Sequence, residues 1–341
     1  MRNPLSILAK PFVTTTGLAR WMLVAGVLMT GFFVVLAIFA PWIAPYDFAQ
    51  HSSGGVEFQQ SAPPSSEHLF GTSHLKFDVL SRTIWGARTA VEVVILALIG
   101  SLVVGVLLGL ISGYYGRWLD RILTMIMDAI FAFPSLLLAI VFAFLFTNLI
   151  GGSVIAAAGS LTVIYIPQYF RIVRNTTISA KEAAYVEAAR AIGAPDGVIM
   201  RRYLFGNVIQ SVPVIGTLNA ADAIGTLAGL GFLGLGIQPT EASEWGYSLQ
   251  KALSDVGAGI WWTAVYPGLA IVLLITGLTL VGEGLNETVN PILRKRKLLP
   301  VIMPPRKPQG QVMRSAEQVR TTPGSDGVTE RDHQQERRDR R

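Results

Sequence analysis

The chain has no cysteine. That excludes a disulfide framework, a thiolate nucleophile and any metal site built on sulfur. Charge is scarce as well: 15% of the 341 residues are Asp, Glu, Lys or Arg, where a soluble domain carries about 25%. The only histidines are His51, His68, His74 and His333, and their spacing matches no familiar metal site. They are read as ordinary loop and tail side chains, and no metal is expected. No GxxxxGK[ST], HExxH or GxSxG pattern occurs, so the chain is not expected to be an enzyme, and any ATP hydrolysis belongs elsewhere.

Hydrocarbon is abundant, since 51% of the residues are hydrophobic. Several windows run for about 20 residues without a charge, the length a bilayer-spanning helix needs. The sequence therefore predicts an all-α membrane protein with six transmembrane helices, at about 21–44, 89–111, 122–146, 154–170, 208–235 and 260–281. The first run is longer than the apolar part of a signal peptide, and Pro41 follows Ala40 where cleavage would fall, so it reads as a retained anchor. Residues 45–88, with SSGG and APPSS, read as a loop. A five-helix core at 89–290 follows, carrying a polar loop at 176–205. The segment 291–341 is rich in Pro, Gln, Arg and Asp and reads as a disordered tail. Its RKRK and RRDRR clusters offer contact with anionic lipid, but the acids among them favour a solvated tail.

The net charge of +6 does not point to nucleic acid, because the basic residues flank apolar spans. Arg2, Lys10, Arg20, Arg117, Arg121, Arg171, Arg174, Lys181, Arg190, Arg201, Arg202 and 294–297 fall on one side. The opposite loops hold Lys76, Arg82, Arg88 and Lys251, balanced by Asp47, Glu57, Glu67, Asp78, Glu241, Glu244 and Asp255. An excess of Lys and Arg marks the cytoplasm. Both termini, the segment 1–20 included, and the loop at 176–205 are thus expected there.

Ser101, Gly105, Gly109 and Gly113 recur every four residues and form one helix face, where small residues let two backbones approach closely in lipid. The fifth span is again glycine-dense, with Gly229, Gly231 and Gly234. Both sets are read as helix-packing or gating positions. Pro134 and Pro167 each remove a backbone hydrogen bond inside a span. Asp128 and Asp222 are the deepest acids, with Asn219 as a further polar contact, and no intramembrane His or Lys pairs with them. Helix–helix hydrogen bonding is the favoured role for these groups, although intramembrane acids also mark functional sites.

The polar loop contains KEAAYVEAARAIGAPDGVIMRRYL, starting at Lys181. Ser179 followed by Glu182 fits a capping box. Ala183, Ala184, Ala188 and Ala189 favour helix and give a smooth surface. Gly193 fits a left-handed position at a helix C-terminus. Pro195 and Asp196 restart the chain into a second short helix. The product is a helical knob on the cytoplasmic face, suited to docking into a partner's groove.

YVEAARAIGAPDGVIMRRYLFGN resembles the EAA loop of ABC-importer permeases. FGTSHLKFDVLSRTIWGAR, GRWLDRILTMIMDAIFAFPSLLLAI, GLGFLGLGIQP, EWG at 244–246, WWTAVYPGLAI and GLNETVNPILR resemble the C-type permeases of dipeptide and oligopeptide importers, and the likeness covers about 15–297. Ser73, Lys76 and Phe77 depart from the family's Gly-Thr-Asp and Gly-Arg-Asp pattern. Phe205, Gly206 and Asn207 stand where the family has Leu-Pro-Asn, which predicts a more flexible turn. The resemblance implies a type I ABC-importer permease fold in a bacterial inner membrane. It implies a second homologous permease, two cytoplasmic ATPases holding ATP and Mg, and an extracytoplasmic peptide-binding protein as partners. It assigns ATPase coupling to Glu182, Ala183, Tyr185, Glu187, Ala188, Ala189, Arg190, Gly193, Ala194 and Asp196. A nickel or glutathione importer is the near alternative. An autonomous channel or secondary transporter, which would leave the knob without a purpose, is the alternative of another class.

Overall fold

The computed structural model describes residues 18–150, 153–209 and 212–289; the segment 1–17 and the predicted tail lie outside the described residues. Helix α1 (Leu18–Ile43) leads into a loop that folds a short β-hairpin, β1 (Ser52–Ser53) against β2 (Val56–Glu57). Helix α2 (Val79–Tyr115) then runs to the opposite end of the molecule. Its start is fixed by Asp78, whose carboxylate accepts the Ser81 N–H at 2.7 Å, as an N-cap should. Residues 79–88 are therefore helical, although the sequence reading placed them in the loop. Arg82 is buried there, and its Nη1 donates across the fold to the Phe48 carbonyl at 2.9 Å. His68 Nδ1, 2.9 Å from Asp78 Oδ1, closes the same corner.

The third predicted span is not one helix. It is α3 (Arg117–Ala132) and α4 (Ser135–Ile150), bent by 101°. Pro134 is the cause: its ring disfavours helical backbone in the residue before it, and Phe133 is extended at φ −82, ψ 142. Helix α5 (Ser153–Lys181) absorbs Pro167 without a break. Helix α3 lies along α5, clipped by two ion pairs. Arg174 Nη2 donates to Asp120 Oδ2 at 2.6 Å, and Arg171 Nη2 to Asp128 Oδ1 at 2.6 Å. Arg171 also stacks over the Phe131 ring at 4.0 Å. Asp128, expected among the deepest acids with a helix–helix hydrogen bond as its favoured role, does bond across helices, to Arg171, but as an exposed group on an amphipathic helix.

After a knob at 184–208 come α9 (Val212–Phe232), an unforeseen helix α10 (Trp245–Gly257) and α11 (Trp262–Val289). Five of the described helices are long and apolar enough to cross a membrane, or six if the bent pair α3–α4 counts as one span. The hairpin end is tied together by indoles: Trp85 Nε1 donates to Tyr46 O, Trp245 Nε1 to Thr83 O, and Trp262 Nε1 to Thr72 O.

The stripe on α2 faces α5. A Cβ on Gly105 would stand 2.6 Å from Tyr169 Cβ, on Gly109 2.7 Å from the Phe170 carbonyl oxygen, and on Gly113 2.7 Å from Thr177 Cβ. Ser101 is fully buried and returns its hydroxyl to Ala97 O at 2.7 Å, so it adds no unsatisfied polar group to this seam. Helices α1 and α11 meet the same way, through Gly26, Gly277 and Gly284. In lipid such contacts rest on dispersion between closely packed backbones.

Candidate functional site

The knob begins where α5 ends. Ser179 does not cap it. Its hydroxyl donates back to Asn175 O at 3.2 Å within the last turns of α5, so the predicted capping box is not formed. Lys181 closes α5, exposed Glu182 lies in the link, and Ala183 is the N-cap of α6 (Ala184–Ala191) without a side-chain bond. At the other end of α6 the chain reverses through Gly193, at φ 79. Gly193 N–H donates to Arg190 O at 2.9 Å, and Ala194 N–H to Ala189 O at 3.0 Å. These two bonds are the Schellman closure of a helix, which needs a left-handed residue between them.

Pro195 then caps a continuous helical run: α7 (Asp196–Val198), a π-helical turn (Ile199–Leu204) and α8 (Phe205–Val208). The predicted flexible turn at Phe205, Gly206 and Asn207 is helical, and Asn207 Nδ2 donates to the Tyr185 hydroxyl. Val186, Ala189, Ile199, Leu204 and Val208 form the knob's interior. The coupling candidates thus divide. Ala189 is buried and Ala194 half-buried, while Glu182, Tyr185, Glu187, Ala188, Arg190, Gly193 and Asp196 are exposed. The outer surface also presents Ile192, 81% exposed, with Val198 and Phe205.

The knob is fastened to the membrane helices. The Tyr114 hydroxyl, at the end of α2, donates to Asp196 Oδ1 at 2.6 Å, and Arg190 lies 5.6 Å from the Tyr114 ring centre. Close by, Asp120 accepts from both Arg174 of α5 and Ser112 of α2. Sequence reasoning missed Tyr114, because nothing in its spacing separates it from the exposed Tyr115.

The remaining candidates lie on α9 and beyond it. Asn219 is buried, and its Nδ2 has no hydrogen-bond partner among the described residues. Asp222 Oδ2 accepts the Tyr165 hydroxyl of α5 at 2.7 Å. Gly229 faces Leu136 of α4, and Gly234 turns the chain at φ 76. Gly231 faces Glu244, the N-cap of α10, whose carboxylate accepts the N–H groups of Gly246 at 2.7 Å and Tyr247 at 2.8 Å. Burial pushes the Glu244 carboxyl up to about 7, against the opposing pull of those two amides and of Arg82.

Residues 105–295 match the family described as "Binding-protein-dependent transport system inner membrane component", and 18–64 match the "N-terminal TM domain of oligopeptide transport permease C". The chain is 34% identical over 271 residues to the dipeptide transport system permease protein DppC of Alkalihalophilus pseudofirmus, covering 80% of this chain and 86% of that one. It is 36% identical over 262 residues to the glutathione transport system permease protein GsiD of Escherichia coli O157:H7, covering 76% and 83%. A solved structure of the MetNI methionine ABC transporter in inward-facing conformations aligns with TM-score 0.48 at 20% identity, over 62% of this chain and 95% of that one. With more than half of its length matched by one family and a relative above 30% identity along most of it, the chain belongs to the inner-membrane permease components of binding-protein-dependent ABC transport systems.

Proposed function

We propose that this permease imports short peptides as one of two homologous membrane subunits, with its knob seated in a cleft of a cytoplasmic ATPase. Two ATPases that bind ATP and Mg drive the cycle, and a binding protein delivers substrate at the hairpin end. The loop charges favour a cytoplasmic knob with both termini on the same side. The observation that carries the reading is the knob itself: a compact, partly apolar surface pinned to α2 by Tyr114–Asp196 and joined to the end of α5 by the short link at Glu182 and Ala183. ATPase closure would move that surface, and the two tightly packed helices would move with it as one body. The relatives named for dipeptides and for glutathione both favour a peptide cargo, and the glutathione name favours a tripeptide as the second reading.

The test is purification from native membrane in mild detergent, followed by uptake in proteoliposomes. Two Walker-type ATPases and a second six-span permease are expected to co-purify, and di- or tripeptide is expected to enter the vesicles with ATP. Gly193→Val places a β-branched residue at φ 79, so it should leave ATP hydrolysis running without uptake. A solitary chain, in a preparation where other complexes survive, would overturn the coupling role. Normal uptake by the Gly193 variant would remove Gly193 from the mechanism.

A further inference from the structure

We propose that the face of α9 carrying Leu218, Asp222, Gly225 and Gly229 lines the translocation path, and that the Asp222 carboxylate receives the ammonium group of the substrate there. The inference rests on the peptide-importer reading and deepens it.

Asp222 stands at the centre of Val212–Phe232, a 21-residue helix. At about 1.5 Å per residue it is about 15 Å from either end, which is mid-depth in a hydrocarbon core about 30 Å thick. The side chain is exposed on the chain's surface, as are Leu218 and Gly225 on the same face. A carboxylate at that depth is too costly to present to lipid. Two glycines beside it would also leave backbone open to hydrocarbon. This face therefore meets water, substrate or another subunit.

Two cavities select among these, and both are lined by Asp222. One, of about 510 Å³, runs along the face between α9, Leu136 of α4, and Ile275 and Thr279 of α11. The other, of about 230 Å³, is lined by Phe133, Ser135 and Gln168. Phe133 and Ser135 flank the break at Pro134. Helix backbone interrupted at membrane depth is tolerated where it borders protein or a water-filled cavity. Asp222 thus stands where a broken span and an open groove meet.

Its chemistry is that of a receptor for a cation. Tyr165 holds Oδ2, while Oδ1 has no partner among the described residues. Asp120 and Asp128, by contrast, are each neutralised by an arginine. The groove walls are mostly apolar, and Asp222 is the one charged residue among those lining it, so it would select one shared feature of varied ligands. Every free peptide supplies such a feature in its N-terminal ammonium, whatever its side chains.

This chain has no cysteine, so a thiol placed at 222 is the one it contributes to the complex. Wild type, Asp222→Asn, Asp222→Glu and Asp222→Cys are assembled with the partner subunits and compared in proteoliposome uptake at saturating peptide. Asp222→Asn should lose at least about tenfold in rate and Asp222→Glu less than about threefold, as expected for a charge pair in a poorly solvated site. The Asp222→Cys thiol should react with water-soluble methanethiosulfonates beyond the wild-type background, and peptide should slow that reaction. The sulfonatoethyl reagent returns a negative charge and should restore uptake; the aminoethyl reagent should not. Gly225→Leu should plug the groove, since its Cβ meets only Ile275 at 3.8 Å and folding is not threatened. Three results would each overturn the proposal: wild-type uptake by Asp222→Asn; a thiol at 222 inert to both reagents; or loss of the second permease from the Asp222→Asn complex, which would make the acid an intersubunit contact. A wild-type complex that moves no peptide while the thiol reacts would instead overturn the cargo and leave the path-lining face standing.

Discussion

The Glu244 carboxylate fills the space that a side chain on Gly231 would need: a Cβ built there would stand 1.7 Å from Glu244 Oε2. The two residues join the end of α9 to the start of α10. Gly231→Ala should expel the carboxylate, uncap α10 and cost about 3 kcal/mol, from overpacking together with a lost cap. Glu244→Ser keeps a capping oxygen and vacates the space. The double variant should therefore be more stable than the sum of the two single losses, by about 1 kcal/mol or more. Thermal unfolding of the four proteins in one detergent checks this, and simple additivity would break the assigned contact.

The same carboxyl sets a pH dependence. Its pKa in the folded protein, about 7, lies above the usual glutamate value because the group is buried. The folded state therefore holds the proton more tightly than the unfolded state does. Its contribution to stability is full below about pH 4.5 and is lost as pH rises through about 7, by about 3 kcal/mol in all. Wild-type melting temperature should fall across that window, and Glu244→Gln should flatten the slope. Parallel slopes would show that the group titrates normally.

The stripe on α2 yields a graded prediction. Gly109→Val drives a branched side chain against the Phe170 carbonyl and Val173 of α5, and should cost about 2–3 kcal/mol. Gly31→Ala on α1 meets nothing within 4 Å and should leave stability unchanged or raise it by up to about 1 kcal/mol. The comparison is a melting curve for each. Equal effects would mean that α2 and α5 are not held by close backbone approach.

This stripe was legible because four-residue spacing on one helix declares a face, and the structure supplies its counterpart. The seam of Gly26 on α1 with Gly277 and Gly284 on α11 was not. It pairs one glycine on α1 with two on α11 that stand seven residues apart, and neither helix alone repeats the spacing often enough to declare a face. Charge misled the reading at the start of α2. Arg82 and Arg88 made it look like loop, because the acceptor for Arg82, the Phe48 carbonyl, is set by tertiary folding. For Asp128 a bond between helices was the favoured role, but its depth was not legible, because the arginine that holds it lies on another helix. Gly193 needed only its neighbours, since the turn it makes is built from bonds within a few residues, whereas the tether at Asp196 joins residues 82 apart in sequence.

That tether carries the last prediction. Asp196 is exposed, so removing the Tyr114 hydroxyl should shift global stability by no more than about 1 kcal/mol. Its effect should appear in transmission instead. Tyr114→Phe unfastens the knob from α2 while leaving the ring beneath Arg190, and should lower peptide moved per ATP hydrolysed by about threefold or more, the size of a modest coupling energy. Asp196→Asn keeps an oxygen for the hydroxyl to reach and should lie between the two, whereas Asp196→Ala should match Tyr114→Phe. Uptake and phosphate release are to be measured on the same vesicles. If Tyr114→Phe retains the wild-type ratio, motion of the knob reaches the membrane through α5 alone, and the bond to α2 only braces the fold.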